Sequence, residues 1–308
     1  MIRYIKHHDL DRNKWDDCIR SAINSRIYAF SWYLDLAADA QWDALVEDDY
    51  RSVCPLPFRR KWGISYIFTP FFIQQLGIFS KEPLDRNTQN DFLDAIPSSF
   101  KLIELNLNTG NTPDEATFTY AANRNFELNL HHPYDELRNQ YSENLRRNLK
   151  KALGENLEIA PGDSPDRVIE LFRNERGKLV HHWRDPEYQL LKNLTNRCSE
   201  IHKTIILSAI NKENEFIAGA VFFVTETRAI FIFSATGSQA KAGGAMAAII
   251  DTFIRENAGK PLILDFEGSN DAGLARFYAG FGAEETSYVR AIRNRLSLPV
   301  RLIRRIKN

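Results

Sequence analysis

Asp265 and Glu267 stand two residues apart at the end of the apolar run Leu262–Leu264, in the order L-D-F-E. Alternate residues of an extended strand share a face, so this spacing puts both carboxylates on one side, opposite Leu264 and Phe266. A carboxylate drawn partly out of water has a raised pKa and can take a proton from an ammonium or amine; the same residues can equally cap the next helix or pair with Arg276. Upstream, Gln239-Ala240-Lys241-Ala242-Gly243-Gly244-Ala245 separates a strand-like run ending near Ala235 from a helical pattern. Small residues let a backbone approach a pyrophosphate, and the N–H groups of a helix start hold anions along the macrodipole. They also suit a flexible turn that packs closely. Downstream, Leu274, Phe277, Tyr278 and Phe281 recur at i, i+3, i+4 and i+7, the core stripe of an amphipathic helix.

The elements that must position these groups read as an α+β (mixed α/β) chain in two halves. Residues 1–132 carry a short strand at Met1–Tyr4, a helix from about Asp11, a helix at Ser31–Ala38 capped by Ser31, and a connecting helix around Phe92–Ile96. Strand-like runs lie at Trp42–Val46, Ser52–Pro57, Ile64–Phe68, Leu102–Leu107 and Asn125–Leu130. His131-His132-Pro133 marks the boundary. Residues 133–295 open with one helix over Tyr134–Leu153, where Leu137, Tyr141, Leu145, Leu149 and Ala152 recur at helical spacing and Gly154 ends the pattern. Helices at Pro165–Arg176 and Glu187–Ile201 precede a meander of Thr204–Ile210, Phe216–Val224 and Ala229–Ala235. A helix at Gly244–Asn257, a strand at Pro261–Phe266, a helix at Ala272–Phe281 and a strand at Ser287–Arg293 complete it. This order mixes a meander with one crossover, and ligands bind where such a sheet opens at its C-terminal strand ends. Residues 296–308 form a basic tail.

Leu264–Ala283, LDFEGSNDAGLARFYAGFGA, resembles the signature of the Fem-type branch of the GNAT acyltransferase superfamily. Tyr141–Ala152, YSENLRRNLKKA, is similar to the basic helix that opens the second domain of Fem-type proteins, and Pro70–Phe79, PFFIQQLGIF, also resembles that branch. The resemblance covers most of Ile67–Val289 and is densest toward its end. It implies two tandem GNAT-like acyl-CoA N-acyltransferase domains, the first diverged, each a mostly antiparallel mixed sheet flanked by helices. It implies transfer of an acyl or aminoacyl group from coenzyme A or aminoacyl-tRNA to an amine on a small molecule or peptide. Gln239-x-x-Ala242-x-Gly244 has the spacing of the family's coenzyme A loop, with Ala242 where Gly is usual. By that match Gln239, Lys241, Ala242, Gly243, Gly244 and Ala245 would hold the donor. Tyr278 falls at the position of the family's general acid, beside Glu267 and Asp265 as the other catalytic candidates, with a backbone N–H near Ser234–Gly237 for the oxyanion. The alternative is a non-catalytic descendant that binds peptide, cell-wall precursor or a membrane surface.

Other chemistries find no support. Cys18, Cys54 and Cys198 are odd in number and far apart, so neither a disulfide framework nor a Cys-rich zinc site is expected and a reducing, cytoplasmic setting fits. The pairs His7-His8, His131-His132 and His181-His182 diverge as neighbours do in any regular element, and no metal is expected. No G-x-S-x-G elbow, P-loop or G-x-G-x-x-G fingerprint occurs. With 40 Lys+Arg against 40 Asp+Glu, a uniformly polyanion-binding surface is excluded. Cations nevertheless gather at Arg146–Lys151 and over Arg290–Asn308, where Val300, Ile303 and Ile306 add a narrow apolar edge. These clusters suit tRNA or an anionic membrane, or a solvated terminus.

Overall fold

In a computed structural model of the chain, the described residues are 1–301 without 163, 178–179, 181–182, 239, 241–242 and 269. Gln239, Lys241, Ala242, His181-His182, Ile303 and Ile306 therefore lie outside the described residues. The chain forms two compact units, Met1–Asn123 with Ser287–Asn308, and Arg124–Thr286.

The first unit contains β1 (Ile2–Ile5), α1 (Arg12–Ser21), α2 (Ser31–Ala37), β2 (Trp42–Glu47), β3 (Ser52–Lys61), β4 (Ile64–Ile67), β5 (Phe79–Ser80), α3 (Arg86–Asp94) and β6 (Phe100–Asn106). The strand β7 (Thr119–Asn129) passes into the second unit, which adds α4 (Tyr134–Asn139), α5 (Glu143–Gly154), β8 (Glu158–Pro161), α6 (Asp166–Glu175), α7 (Asp185–Ile201), β9 (Lys203–Ile210), β10 (Phe216–Val224), β11 (Arg228–Thr236), α8 (Ala245–Asn257), β12 (Ile263–Asp265) and α9 (Ala272–Ala279). The last strand, β13 (Glu284–Asn294), returns to the first unit. The first unit runs β1-β2-β3-β4-β6-β13 with β4 and β6 parallel; the second runs β7-β12-β11-β10-β9-β8 with β11 and β12 parallel. The other described pairings are antiparallel.

Three sequence expectations change. The units do not divide at His131–Pro133: Phe126, Leu128 and Leu130 already sit in the second unit's core, while Arg290–Asn294 pair with Leu102–Asn106 in the first unit. The expected second domain and tail, 133–295 and 296–308, therefore give up residues 287–308 to the first unit. The helix expected over Tyr134–Leu153 is two helices, because the Ser142 Oγ accepts from the Leu145 N–H (3.2 Å) and starts α5 afresh. Ser31 is not the cap of α2 but its first residue, with its hydroxyl donating to Asp16 (2.7 Å).

The second unit's sheet is covered on both faces, as its near-continuous apolar strands require. Phe222 of β10 stacks on Phe253 of α8 with ring centroids 4.1 Å apart, while Gly219, three residues earlier, is pressed by Val168 of α6. On the α8 face, α4 and the turn after it are tied to α8 at one place and α5 at another. The Tyr134 and Tyr141 hydroxyls both donate to Asp251 of α8, at 2.9 Å each. Where α8 begins, Gly244 holds φ +77°, and a Cβ there would lie 2.2 Å from the Asn148 carbonyl oxygen of α5. Glycine is thus required both by conformation and by the approach of two backbones.

Two outcomes follow from this packing. Gly244→Ala is expected to cost on the order of 2–4 kcal/mol, read in a thermal melt as a drop of roughly 5–15 °C; an unchanged melt would refute the contact. A fragment of residues 1–132 lacks the strand that covers β6, so its circular dichroism melt is expected to show no cooperative transition, unlike that of the full chain.

Candidate active site

β11 and β12 pair at only three positions, Arg228–Ile230 against Ile263–Asp265. Beyond them the strands part. The Phe266 N–H donates to the Phe126 carbonyl oxygen on β7 (3.0 Å), while β11 runs on beside β10 as far as Thr236. A cleft of about 530 Å³ opens at the parting, with Phe172, Glu175 and Arg176 from the end of α6 and Met246, Ala247 and Tyr278 from α8 and α9. Ser234, Ala235 and Thr236 of the diverging strand also line it. This is the open strand end that the crossover topology leads one to expect.

A bulge shapes the floor of the cleft. Val221 faces Phe233 and the next residue, Phe222, faces Phe231, so Ile232 is an extra residue on β11. One inserted residue reverses the alternation of faces. Phe233 consequently packs on Phe172 of α6 at 5.0 Å, and Phe231 turns the other way toward Phe222 and Tyr278, at 5.3 and 6.3 Å. Phe266 stacks on Tyr278 at 4.9 Å, and Phe231, Phe266 and Tyr278 together close the base of the parting.

Tyr278 belongs to the core cluster and also lines the cleft. Burial pushes its hydroxyl up to about 12; the Glu267 charge adds to the rise and Arg176 opposes it. The group therefore keeps its proton across the neutral range. Glu267 and Asp265 are not a face-sharing pair. β12 ends at Asp265, and Glu267 sits past it at φ +54°, a left-handed conformation for which non-glycine residues pay strain. Asp265 is fully buried. Its carboxylate accepts from the Arg228 guanidinium (3.1 Å), which also pairs with Glu127 (2.9 Å), and from the Glu267 N–H (2.9 Å). These contacts brace the turn into Glu267. Neither carboxylate caps α9, whose cap is Asp271.

In the loop before α8, Ala240 and Gly244 line the cleft, and Ala240 and Gly243 border a second hollow of about 520 Å³ with Lys151, Glu155 and Lys212 around it. The N–H groups of Ala240 and Gly243 donate within the loop, to Gly237 and Ala240. Ala245 opens α8, and the first-turn N–H groups of α8 have no helical partner, as at any helix start. Within the stretch expected to supply an oxyanion donor, the Gly237 N–H is already engaged by the Ile217 carbonyl (2.9 Å). On the basic helix, the Arg146 guanidinium donates to the Tyr141 and Asn139 carbonyls (3.0 and 2.9 Å), closing the end of α4.

Glu175 and Arg176 were not visible as site residues in the sequence. They end an ordinary amphipathic helix, and only the parting of the sheet brings them beside Tyr278. Burial pushes the Cys18 and Cys198 thiols up to about 11 and raises Cys54 as well, so none of the three is a thiolate nucleophile near neutrality. Among the described residues no group of three or more His, Cys, Asp or Glu could hold a metal ion, and no helix is long and apolar enough to cross a membrane.

No family model matches the sequence, and no curated protein matches it. Solved structures do. A crystal structure of FemX aligns over 91% of this chain and 96% of that chain, with a TM-score of 0.66 at 12% identity. L-PGS from Bacillus licheniformis aligns over 95% and 94% with a TM-score of 0.52 at 12% identity. A tandem GNAT protein from the clavulanic acid biosynthesis pathway aligns over 95% and 98%, with 0.51 at 10%. At these identities the likeness is one of fold, and it runs the length of both chains. The chain has a Fem-type tandem GNAT fold.

Proposed function

We propose that the chain is an N-acyltransferase that moves an acyl or aminoacyl group onto an amine by direct attack. The observation that carries this reading is the cleft at the parting of β11 and β12, which joins a protonated tyrosine to a helix start. The amine lone pair attacks the donor's carbonyl carbon, a C–N bond forms, and collapse of the tetrahedral intermediate breaks C–S in a thioester or C–O in an aminoacyl ester. Tyr278 donates the proton that the leaving group takes up. Glu175 or Glu267 receives the proton that the ammonium loses. The loop Ala240–Ala245, with Gln239, Lys241 and Ala242, would hold the donor's phosphates against the start of α8, near Lys151.

The acidity of Tyr278 bears on the donor. A thiol of pKa about 8.5 leaves as a thiolate with little help, whereas a ribose hydroxyl needs the proton. Tyr278→Phe is accordingly expected to lower kcat by about 10²–10⁴ with an aminoacyl-tRNA donor and by less with acyl-coenzyme A, in single-turnover transfer assays. Thermal stabilisation by millimolar coenzyme A supports the thioester; no shift moves the donor to aminoacyl-tRNA, with α5 as a tRNA contact. The second reading, a binder without turnover, draws on the aromatic floor of the parting and the loop N–H groups already used. It predicts ligand binding that Tyr278→Phe leaves intact, with no transfer by the parent chain. Three unbridged cysteines fit work in the cytoplasm.

The same hydroxyl affects alkaline stability. Because folding raises the Tyr278 pKa from 10.0 to about 12, its contribution is complete below pH 10 and is lost as pH climbs toward 12. Tyr278→Phe is expected to remove that part of the decline in denaturant melts taken between pH 9 and 12.

A further inference from the structure

The ends of four adjacent strands of the first unit meet along one edge. β3 and β4 form a hairpin through Trp62-Gly63, β6 begins at Phe100-Lys101, and Arg295, next after β13, donates its N–H to the Lys101 carbonyl (2.7 Å). This edge carries Arg59, Arg60, Lys61, Lys101, Arg295 and Arg301. Among the described residues none of these six has an acidic partner within salt-bridge distance. Several other exposed cations of the unit are matched, as in Arg12–Asp35, Lys14–Asp49, Arg51–Glu82 and Arg86–Asp114. Six cations without an acidic partner among the described residues thus lie together at this edge.

Two large apolar side chains project from the same edge. Trp62 is 68% exposed at the hairpin tip and Leu298 is 73% exposed just past β13. Trp62 and Gly63 hold φ of +51° and +75°, the pattern of a type I′ turn. That turn favours Asn-Gly, and a bulky aromatic at its first position is unfavourable for the fold. The Lys61 ammonium lies over the Trp62 ring (5.0 Å), and the ring still presents most of its surface to solvent beside the other cations of the edge.

We propose that this edge anchors the protein to a bilayer containing anionic phospholipid. Trp62 and Leu298 enter the headgroup boundary, where an amphipathic ring and an aliphatic chain are both stable, and the cations behind them meet lipid phosphates. A single-stranded RNA is the less suitable occupant, because stacking on bases would use Trp62 but not Leu298. The surface lies wholly in the first unit and does not depend on the transfer chemistry of the second.

The test is co-sedimentation of the full chain with vesicles of phosphatidylglycerol and phosphatidylcholine, against phosphatidylcholine alone and against a labelled single-stranded oligouridylate. Binding is expected to the anionic vesicles only and to weaken as salt rises. Arg60→Glu/Lys61→Glu is expected to lower vesicle partitioning by at least about tenfold. Trp62→Asn is expected to lower it comparably while the melting temperature holds or rises, since Asn-Gly suits the turn; gain of stability with loss of binding separates anchoring from folding. Absence of binding to anionic vesicles, partitioning of both variants equal to that of the parent chain, or binding of the oligouridylate in place of the vesicles would each overturn the proposal.

Discussion

In its pairing with β10, β11 carries one unopposed residue, Ile232, and much of the second unit's architecture depends on where that residue goes. A strand of regular alternation would turn Phe231 and Phe233 to the same face. With Ile232 inserted, Phe233 covers α6 while Phe231 reaches Tyr278. The sheet can then separate after three parallel pairs without leaving an unfilled cavity, because the aromatic cluster at the base supplies the contacts that β12 no longer makes. Above that floor the strand end stays open to α6, α8 and α9.

The buried ion group below the parting has a different task. Arg228 lies between Glu127 and Asp265, with side chains only 1–15% exposed. Such a group adds little net stability, because desolvation offsets most of the attraction. What it does is geometric. It joins the first residues of β11 to β7 and β12, and Asp265 carries that alignment through its second oxygen to the backbone of Glu267. An acid whose place in the sequence left base, cap and ion-pair roles open is engaged here by Arg228 and by the backbone of its neighbour.

The meander and the helix after it were legible because Phe216–Val224 and Arg228–Thr236 are apolar on both faces, a pattern only a covered sheet explains. Capping at Ser142 was not, because its neighbours keep helical periodicity across the break and a local hydrogen bond outcompetes that pattern. The unit boundary was misplaced for a related reason. His131-His132-Pro133 is strong local punctuation, yet Phe126 and Leu128 had already entered the second core, and long-range strand pairing has no local signal. Tyr278 and the loop before α8 could be found by motif, whereas Glu175 and Arg176 acquire meaning only through the parting of the sheet. The bulge is invisible in R-A-I-F-I-F-S-A-T, which reads as an ordinary strand.

Asp251 ties together what the sequence spreads over more than 100 positions. The Tyr134 and Tyr141 hydroxyls on its carboxylate join α4 and the turn after it to α8, and the Gly244–Asn148 contact joins α5 to the start of α8. The helix start that faces the cleft is the end of α8 that α5 meets. The cleft therefore has unlike walls: the start of α8, packed backbone to backbone on α5, and the end of α6, which brings the charges of Glu175 and Arg176.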